Sequence, residues 1–178
     1  MKIMQINVVY KKGSTGKIVC DIHEGLIKRN VESVVLFGRG YNVIQPNIYK
    51  TSNEIISKFN NVKSRFTGLQ YNGSFIATRK LINIIRKENP DVVHLHCLNG
   101  YFVNIYKLID FLKKEKYNTA LTLHAEFMHT GSCAYAFECD RWLIGCGECP
   151  HLKYATNSYV FDRTREAWMR MQEAFNGF

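Results

Sequence analysis

The sequence predicts an α/β fold in which helices cover both faces of a parallel sheet. Short apolar runs rich in β-branched residues alternate with longer segments whose apolar residues recur every three or four positions. Hydrophobic residues make up 46% of the 178 residues and charged residues 22%, which is the composition of a globular domain. Strands that alternate with helices in this way form right-handed β-α-β units, and such units place their strands parallel.

The first half of the chain contains three predicted strands and two predicted helices. The opening run KIMQINVVY has the near-continuous apolar character of a strand that is buried on both faces. A glycine-containing loop, KKGSTG, separates it from the helical segment KIVCDIHEGLIKR, which ends before Asn30. The remaining elements of this half are the strands SVVLFGRG and Ile48–Lys50 and a basic helix over residues 53–67.

The second half continues the alternation. The amphipathic segment TRKLINIIRKEN is a predicted helix, and Pro90 ends it. Next come the strand DVVHLHC, the helix FVNIYKLIDFLKKEK, the strand TALTLH and, after a cysteine-rich segment, the helix RTREAWMRMQEAF. Because no linker or internal repeat interrupts this pattern, we expect a single domain over residues 1–178. The cysteine-rich segment is then an excursion near the C-terminal end of that domain.

The chain is basic, with a formal net charge of +9. This charge favours an anionic partner such as a nucleic acid, a phosphorylated ligand or a membrane surface. The excess is uneven, because residues 50–90 hold eight Lys or Arg against two Glu, a surplus of six. An ordinary solvated surface is the alternative explanation.

The sequence also bears on the compartment. No apolar run approaches the roughly 18 residues that a membrane-spanning helix needs. The N-terminal sequence MKIMQINVVYKKG has an apolar run that is too short and too interrupted for a secretory signal, and no small-residue cleavage site follows it. We therefore expect a cytosolic chain whose six cysteines stay reduced.

Open α/β sheets bind ligands beyond the carboxyl ends of their strands, which is where the loop KKGSTGK lies. Gly13 and Gly16 allow the backbone to approach a ligand closely, and a helix that begins near Gly16 or Lys17 points its amide groups at an anion. The loop is not a Walker motif, because only two residues separate its glycines and neither Ser nor Thr follows the lysine. The candidate binding residues are Gly13, Ser14, Thr15, Gly16 and Lys17. A glycine turn without a ligand is the alternative.

A second loop follows the strand DVVHLHC at the same predicted edge. Asn99, Gly100 and Tyr101 lie in this loop and are candidates for substrate binding. His94 and His96 are two residues apart, so their side chains face the same side of the strand. Inside a buried sheet, at least one of these two is expected to be a hydrogen-bonded core histidine and not a ligand-binding residue.

The strand TALTLH ends in His124, where a doubly wound sheet exposes a side chain to the ligand crevice. Histidine titrates near neutrality, and it can donate a hydrogen bond to a substrate hydroxyl or accept one from it. Glu126 and His129 lie close behind and are candidates to share this site. A purely structural histidine is the alternative at position 124.

Four of the six cysteines, Cys133, Cys139, Cys146 and Cys149, lie close together with the spacing C-x5-C-x6-C-x2-C. The final CGEC pair is a knuckle typical of a tetrahedral metal site, and four thiolates in a reduced compartment favour zinc. We expect these four cysteines to bind a structural zinc ion that holds the segment together. Buried free thiols or a disulfide are the first alternative. A redox pair is the second, and it is disfavoured because Pro150 follows the pair where a helix usually stands.

The segments KGSTGKIVCDIHEGL, RFTGLQ, ATRKLI, DVVHLHCLNGYFVNI, TLHAEFMHTGSCAYAF and CDRWLIGCGECP together resemble the N-terminal half of bacterial retaining glycosyltransferases. These enzymes form the large two-domain GT-B group (family 4) that builds capsular, exopolysaccharide and colanic-acid-type glycans. The similarity extends from about residue 1 to residue 178, and the cysteine block and the GSTGK loop are its most specific parts. The resemblance implies that the sheet is Rossmann-like.

The resemblance also implies roles for individual residues. In such enzymes the glycine loop lies in the interdomain cleft near the donor phosphates and the acceptor, and the GSTG turn matches it. The histidine before the cysteine block contacts the donor sugar, and His124 matches that histidine. Relatives commonly read HDCWAFTGHC where this chain reads HAEFMHTGSC. Because Ala125 replaces the usual acid, Glu126 is the candidate to act in its place, with His124, as a catalytic residue.

For the full-length parent, the resemblance implies transfer of a sugar from a nucleotide-sugar donor to a glycan or lipid-linked acceptor, with retention at the anomeric carbon. Helix N-termini can stabilise the leaving diphosphate, so no catalytic metal is expected. A complete enzyme has a second Rossmann-like domain that binds most of the donor and carries a Glu-x7-Glu motif. Residues 1–178 are therefore expected to be the acceptor-side N-terminal domain, which is inactive by itself.

A lipid-linked acceptor implies work at a membrane surface. A basic face is expected to rest on anionic lipid at the inner face of the membrane. The residues of this predicted face are Lys58, Lys63, Arg65, Arg79 and Lys80.

Two further functions compete with the transferase. The first is a non-catalytic, zinc-stapled α/β module that binds a glycan or a partner protein. The second is nucleic-acid binding, which the net charge and the aromatic residues prompt. Because the basic residues are scattered over several helix faces and no known nucleic-acid motif occurs, no nucleic-acid partner is expected.

Overall fold

The computed structural model describes residues 1–178 and contains one five-stranded sheet. In chain order, the strands are β1 (Lys2–Val9), β2 (Glu32–Arg39), β3 (Ile48–Lys50), β4 (Val92–Leu95) and β5 (Thr119–Leu121). All neighbours are parallel, and the spatial order is β3-β2-β1-β4-β5. Strand β1 is central, because Ile6 pairs with Leu36 on one side and with Leu95 on the other. The predicted parallel α/β sheet is confirmed.

Seven helices and one 3₁₀ turn complete the fold. They are α1 (Gly13–Lys28), α2 (Glu54–Thr67), α3 (Phe75–Glu88), α4 (Ile105–Lys114), α5 (Phe127–Thr130), the 3₁₀ turn Arg141–Leu143, α6 (Leu152–Ala155) and α7 (Thr164–Phe175). Asparagine side chains cap two of them: Asn53 Oδ1 accepts from the Ile56 N–H at 2.8 Å, and Asn104 Oδ1 accepts from the Lys107 N–H at 3.0 Å. None of the helices has both the length and the apolar composition that crossing a bilayer requires.

Two buried clusters lie on the opposite faces of the sheet. The larger one has 20 residues and joins sheet residues such as Ile6 and Leu95 to α3, α4 and α7. The smaller one has six residues and packs Val19 and Cys20 of α1 against Phe37 of β2. Helices therefore cover both faces, as predicted, and α1 is the only helix that contributes side chains to the smaller cluster.

The last two strands are shorter than their apolar runs predicted. DVVHLHC is a strand only over Val92–Leu95, and TALTLH only over Thr119–Leu121. The ladder continues for one further bond, because the Thr122 N–H donates to the Leu95 carbonyl at 2.9 Å. Strand β5 stands at the edge of the sheet with a single neighbour, so nothing else extends the pairing. His124 consequently lies beyond the end of its strand.

The cysteine-rich segment leaves the sheet after α5. Residues 131–150 hold only the 3₁₀ turn and otherwise irregular backbone. A Cβ added to Gly131 would lie 2.4 Å from the Cα of Trp168, so the start of this segment lies directly against α7. Helix α5 also contacts α7. The structure thus contains the predicted excursion.

Candidate strand-edge site

The carboxyl ends of β1, β4 and β5 meet at one edge of the sheet. Because neighbouring strands are about 4.8 Å apart, the ends of β1 and β5 are separated by roughly 10 Å. The strand order reverses between β1 and β4, and open α/β sheets bind ligands at such a reversal. We name this region the strand-edge site. Its parts are Asn7, the GSTGK turn (13–17), the loop after β4 (96–101) and His124.

Asn7 is a buried side chain that joins two of these loops. Its Oδ1 accepts from the Cys97 N–H at 3.1 Å, and its Nδ2 donates to the Val9 carbonyl at 2.7 Å and to the Thr15 hydroxyl at 3.5 Å. A buried amide group requires such partners. Asn7 was not among the residues predicted from the sequence. The available signal is that Gln5 and Asn7 place two polar side chains on one face of an otherwise apolar strand.

The helix after β1 begins at Gly13, about one turn earlier than the predicted start near residue 16 or 17. Lys12 keeps extended backbone angles, and the Lys11 N–H donates to the Gly16 carbonyl at 3.1 Å, which folds the turn back against the strand. Gly13 has a φ of +65°, which glycine adopts more readily than other residues. No side chain caps this helix end, so the amide groups of the first turn remain available to an anion.

The other residues of the turn differ in their surroundings. Ser14 is exposed, whereas Gly16 is buried and a Cβ added there would lie 3.1 Å from Val9 Cγ2. Lys17 extends along the helix, with its Nζ 3.1 Å from the Asp21 carboxylate. That hydrogen bond raises the pKa of Lys17. The turn therefore presents exposed backbone and one exposed cation at the edge of the sheet.

The loop after β4 divides into two parts. The Cys97 thiol donates to Asn99 Oδ1 at 2.8 Å, and burial raises the pKa of this thiol. A Cβ added to Gly100 would lie 2.0 Å from Val8 Cγ2, so this close approach to β1 requires glycine. Tyr101 turns away, and its hydroxyl bonds to a side chain between α2 and α3. Asn99 and Gly100 thus lie at the strand-edge site, and the hydroxyl of Tyr101 does not.

Three histidines form a row across β4 and the segment after β5. The ring centroids of His94 and His96 are 4.0 Å apart, and His96 Nδ1 lies 3.3 Å from His124 Nε2. His94 Nε2 is 2.8 Å from the Thr122 hydroxyl and shares a hydrogen bond with it. His96 is fully buried, whereas His94 and His124 are half-buried. The expectation of at least one core histidine is met by His96.

Burial favours the neutral form of two of these histidines, His96 and His94. Burial, with smaller contributions from charge on His94 and His124, lowers the pKa of His96 to about 3. Burial also lowers the pKa of His94, with a smaller contribution from His124. His96 is therefore neutral near pH 7 and shares one hydrogen bond with His124 Nε2. The Nδ1 atom of His124 is then the ring nitrogen left for another partner.

Glu126 contacts the cysteine-rich segment. Its carboxylate accepts a hydrogen bond from the Ala136 N–H, and its own N–H donates to the Ala134 carbonyl at 2.8 Å. It also occupies the N-cap position of α5. These contacts give Glu126 a structural task, and its catalytic role stays a prediction.

The four clustered cysteines line one shared pocket. Cys133, Cys139, Cys146 and Cys149 border a cavity of about 20 Å³, which Trp142 also lines. All four are free thiols. Burial, with smaller contributions from the neighbouring cysteines and Glu126, raises the pKa of Cys133 to about 12. No group of three or more His, Cys, Asp or Glu side chains is arranged to hold a metal ion, so the pocket gathers the predicted ligands without showing a zinc site.

The predicted basic face lies on two consecutive helices. Lys58, Lys63 and Arg65 belong to α2, and Arg79 and Lys80 belong to α3. All except Arg65 are exposed. Lys80 Nζ donates to a main-chain carbonyl of β3 at 2.8 Å, so its charge is partly engaged within the chain. The prediction of a basic helix over residues 53–67 left out the apolar side chains that lie between the cations of α2.

The fold and the strand-edge site define an α/β domain of the Rossmann-like class, with a glycine turn, a helix N-terminus and a histidine at the reversal of strand order. Over 164 residues, the chain is 26% identical to a protein of Escherichia coli (strain K12) named as the colanic acid biosynthesis glycosyl transferase WcaC. The match covers 85% of this chain and 40% of that protein. This relative confirms the resemblance to colanic-acid-type glycosyltransferases that the motifs indicated.

The chain was also compared with protein-family models and with solved structures. No family model matches the chain. The crystal structure of a UDP-N-acetylglucosamine 2-epimerase from Listeria monocytogenes is 14% identical and superposes with a TM-score of 0.38. That superposition covers 78% of this chain and 33% of the other. The chain spans about two fifths of the length of the Escherichia coli relative described above.

Proposed function

We propose that this chain is the N-terminal, acceptor-side part of a glycosyltransferase of surface polysaccharide synthesis. In this proposal the complete protein transfers a sugar from a nucleotide-sugar donor to a glycan or lipid-linked acceptor, with retention at the anomeric carbon. The observation that carries the proposal is the 26% identity to the colanic acid glycosyl transferase over 85% of the chain. The strand-edge site supports it, because groups suited to a diphosphate and to a sugar hydroxyl lie on one edge.

The first turn of α1 is the proposed site of the donor diphosphate. Its amide groups are uncapped, and they lie at the positive end of the helix dipole. Negative charge that develops on the leaving diphosphate is stabilised there without a metal ion. Asn7 fixes the position of the turn through Thr15, and Lys17 adds an exposed cation beside it.

His124 is the proposed contact for a sugar hydroxyl. The hydrogen bond with His96 occupies its Nε2 and orients the ring, so Nδ1 faces the ligand in this proposal. A neutral His96 provides this orientation without adding a charge. Asn99 and Gly100 border the same edge and are the remaining proposed contacts, whereas Glu126 holds the cysteine-rich segment.

Donor binding is proposed to depend mainly on a second domain of the complete protein. The matched part is 40% of the relative, so most of the length of that protein lies outside the match. We expect residues 1–178 alone to give no turnover. The proposal places the activity in the cytoplasm, where thiols stay reduced, and includes no nucleic-acid partner.

Turnover by the complete reading frame tests this proposal. Release of nucleoside diphosphate is measured over a panel of nucleotide sugars with a lipid-linked saccharide as acceptor. Loss of a transition-state contact in His124→Ala is expected to lower kcat/KM by about 10²-fold or more. His151→Ala, a change at an exposed histidine outside the site, is the matched control and should retain full activity. Glycan binding without turnover of any donor would instead identify a non-catalytic binding module.

The cysteine pocket is proposed to hold a structural zinc ion. Four thiols that include a CGEC pair are the donor set that tetrahedral zinc prefers, and all four already line one cavity. Binding of the ion requires these side chains to move, because no group of three or more is arranged to hold a metal ion. The ion would perform no chemistry. It would fix the irregular segment that Glu126 and α7 also hold.

Elemental analysis of the purified chain tests the zinc proposal. We expect one zinc ion per chain in the wild type and none in Cys146→Ser. Cys20→Ser removes a buried free thiol of α1 and should leave the zinc content unchanged. A metal-free chain in which all six thiols react, or a chain whose mass reveals a disulfide, contradicts the proposal.

A further inference from the structure

Helix α2 carries its large apolar side chains on the side that faces solvent. Ile55, Phe59, Val62 and Phe66 are 79%, 69%, 51% and 57% exposed. We name these four side chains the α2 stripe. Each square ångström of apolar surface left in water forgoes about 25 cal/mol of stabilisation. A contiguous exposed patch of this kind marks a docking surface.

The stripe is narrow and is bordered by cations. Its members are four, three and four residues apart, so at 3.6 residues per turn they lie within an arc of about 60° on the helix. On the same helical projection, Lys58 and Arg65 flank the stripe on one side and Lys63 flanks it on the other. Both lysines are exposed. An apolar band thus lies between two basic borders.

The opposite face of α2 is polar and contacts the rest of the chain. Ser57 and Ser64 are the buried residues of the helix. Asn60 donates to the Ser74 hydroxyl at 2.9 Å, and Asn53 caps the helix at its start. These contacts fix the rotation of a well-formed helix. The outward direction of the stripe is therefore a property of the fold and not of a frayed segment.

A neighbouring loop with exposed apolar side chains is attached to the C-terminal end of α2. Tyr159, Val160 and Phe161 are all exposed. The Tyr159 N–H donates to the Arg65 carbonyl at 2.8 Å, and the guanidinium carbon of Arg65 lies 5.6 Å from the centre of the Tyr159 ring. The loop and the end of α2 are thus held together.

From these contacts we infer that the α2 stripe and residues 159–161 dock into the interfacial layer of a membrane with anionic headgroups. A helix that lies in this layer buries an apolar face near the acyl chains and places the cations on its borders among headgroup phosphates. The pattern on α2 fits that environment on both borders. The net charge of +9 adds long-range attraction to an anionic surface.

The inference goes beyond the proposed function, because it requires no assumption about the reaction. It also changes the predicted basic face. That face comprised cations alone, on two helices, whereas the contact surface inferred here is apolar and centres on α2. Arg79 and Lys80 of α3 are not required for it.

Co-sedimentation of the chain with lipid vesicles tests the inference. We expect binding to vesicles of phosphatidylcholine mixed with phosphatidylglycerol, weaker binding to phosphatidylcholine alone, and a decline as salt is added. Phe59→Ser/Phe66→Ser should lower the partition coefficient by roughly 100-fold or more, because burial of each ring contributes at least about tenfold. Lys58→Gln/Lys63→Gln should lower it by roughly 30-fold.

Two matched double variants serve as controls. Tyr41→Ser/Ile44→Ser removes apolar side chains that are 84% and 99% exposed outside the stripe. Lys28→Gln/Lys87→Gln removes two exposed lysines from α1 and α3. Both variants should bind anionic vesicles within about twofold of the wild type. The apolar pair lies outside the stripe, and charges away from the contact surface act on the membrane only through attraction that salt screens. Circular dichroism confirms that each variant is folded.

The outcomes separate the occupants of the stripe. Loss of vesicle binding in the stripe variants, with retention in the controls, supports the inference. A folded wild-type chain that binds no vesicle overturns it, as does undiminished binding by Phe59→Ser/Phe66→Ser. A lipid-free dimer that this variant dissociates, seen by sedimentation equilibrium, assigns the stripe to a second copy and also overturns it. Vesicle binding without donor turnover would count against the proposed function alone.

Discussion

Helices α2 and α3 are consecutive, have 14 residues each and are equally amphipathic, yet they face in opposite directions. Helix α3 buries Leu81 and Ile85 in the main core. Helix α2 buries two serines and exposes the four apolar side chains of the α2 stripe. A 3.6-residue period therefore identifies an apolar face without identifying what that face contacts.

The position of each helix explains the difference. Both lie in the connection between β3 and β4, and one helix is enough to cover the sheet in such a crossover. Helix α3 takes that place and joins the cluster of 20 buried residues. Helix α2 is attached through polar contacts such as the bond from Asn60 to Ser74, and its apolar face remains available. Helix α3 therefore stabilises the fold through its apolar face, whereas the apolar face of α2 is available for an external contact.

Truncation of one apolar side chain in each helix should show the largest contrast. Leu81 is fully buried, so Leu81→Ala should lower the free energy of unfolding by about 2–5 kcal/mol. Phe59 is 69% exposed, so Phe59→Ala should change it by less than about 0.5 kcal/mol. Urea denaturation measures both values. Similar losses in the two variants would mean that α2 packs against the core in solution.

Acid sensitivity should distinguish the sheet from both helices. Burial holds the pKa of His96 at about 3, and an unfolded histidine titrates near 6.5. Between these pH values the unfolded chain binds the extra proton, so stability is complete above about pH 6.5 and falls as the pH falls toward 3. This one group should account for about 2 kcal/mol between pH 7 and pH 5.

Urea midpoints at pH 7 and pH 5 test this assignment. His96→Gln should reduce the difference between the two midpoints, and Leu81→Ala and Phe59→Ala should leave it unchanged. Part of the difference should persist in His96→Gln, because burial also lowers the pKa values of His23 and His94. An unaltered difference in His96→Gln would show that this histidine does not titrate on unfolding.

The buried hydroxyl groups of the two helices should respond unequally to removal. Thr78 of α3 donates to the Ser74 carbonyl and accepts from the Asn104 N–H, both at 2.8 Å. Thr78→Val leaves that N–H without a partner and should cost about 1–3 kcal/mol. Ser57 of α2 is buried and its hydroxyl has no partner, so Ser57→Ala should cost nothing measurable. Thermal denaturation of the Thr78→Val and Ser57→Ala variants shows whether the polar face of α2 tolerates loss of a buried hydroxyl group.

The smallest expected contrast uses one type of substitution at two sites. Asn53 caps α2, so Asn53→Ala should lower stability by about 1 kcal/mol. Asn83 lies at an exposed position within α3, so Asn83→Ala should raise stability by about 0.5 kcal/mol through helix propensity. Opposite signs in chemical denaturation support the assigned helix bounds. Equal signs would show that the cap on α2 contributes little in solution.

Much of the fold could be predicted because each element carries its own local pattern. The apolar run of β1 and the periodicity of α3 and α4 need no knowledge of their partners. The errors lie at element ends that depend on neighbours. Strand β5 stops before His124 because it stands at the sheet edge, and α1 begins at Gly13 because the preceding loop folds back on the strand.

The strand-edge site was predictable in position and less so in composition. Parallel strands place their carboxyl ends together, so the GSTGK turn and His124 were expected on one edge. The strand order was not available from local patterns, and it decides that Asn7 contacts Cys97 and that His96 contacts His124. The cysteine-rich segment has no periodic pattern, so its path could not be predicted. That path brings the Ala136 N–H to the Glu126 carboxylate.

The central place of the first strand has a consequence for synthesis on the ribosome. Ile3 pairs with Ser33 on one side and with Val92 on the other. Translation therefore delivers a partner for one edge of β1 early, and the other edge waits until residue 92 has emerged. An unpaired strand edge is a template for misassembly with other nascent chains. We expect the interval in which residues 40–91 are translated, after β2 and before β4, to be the period when this chain most needs a chaperone.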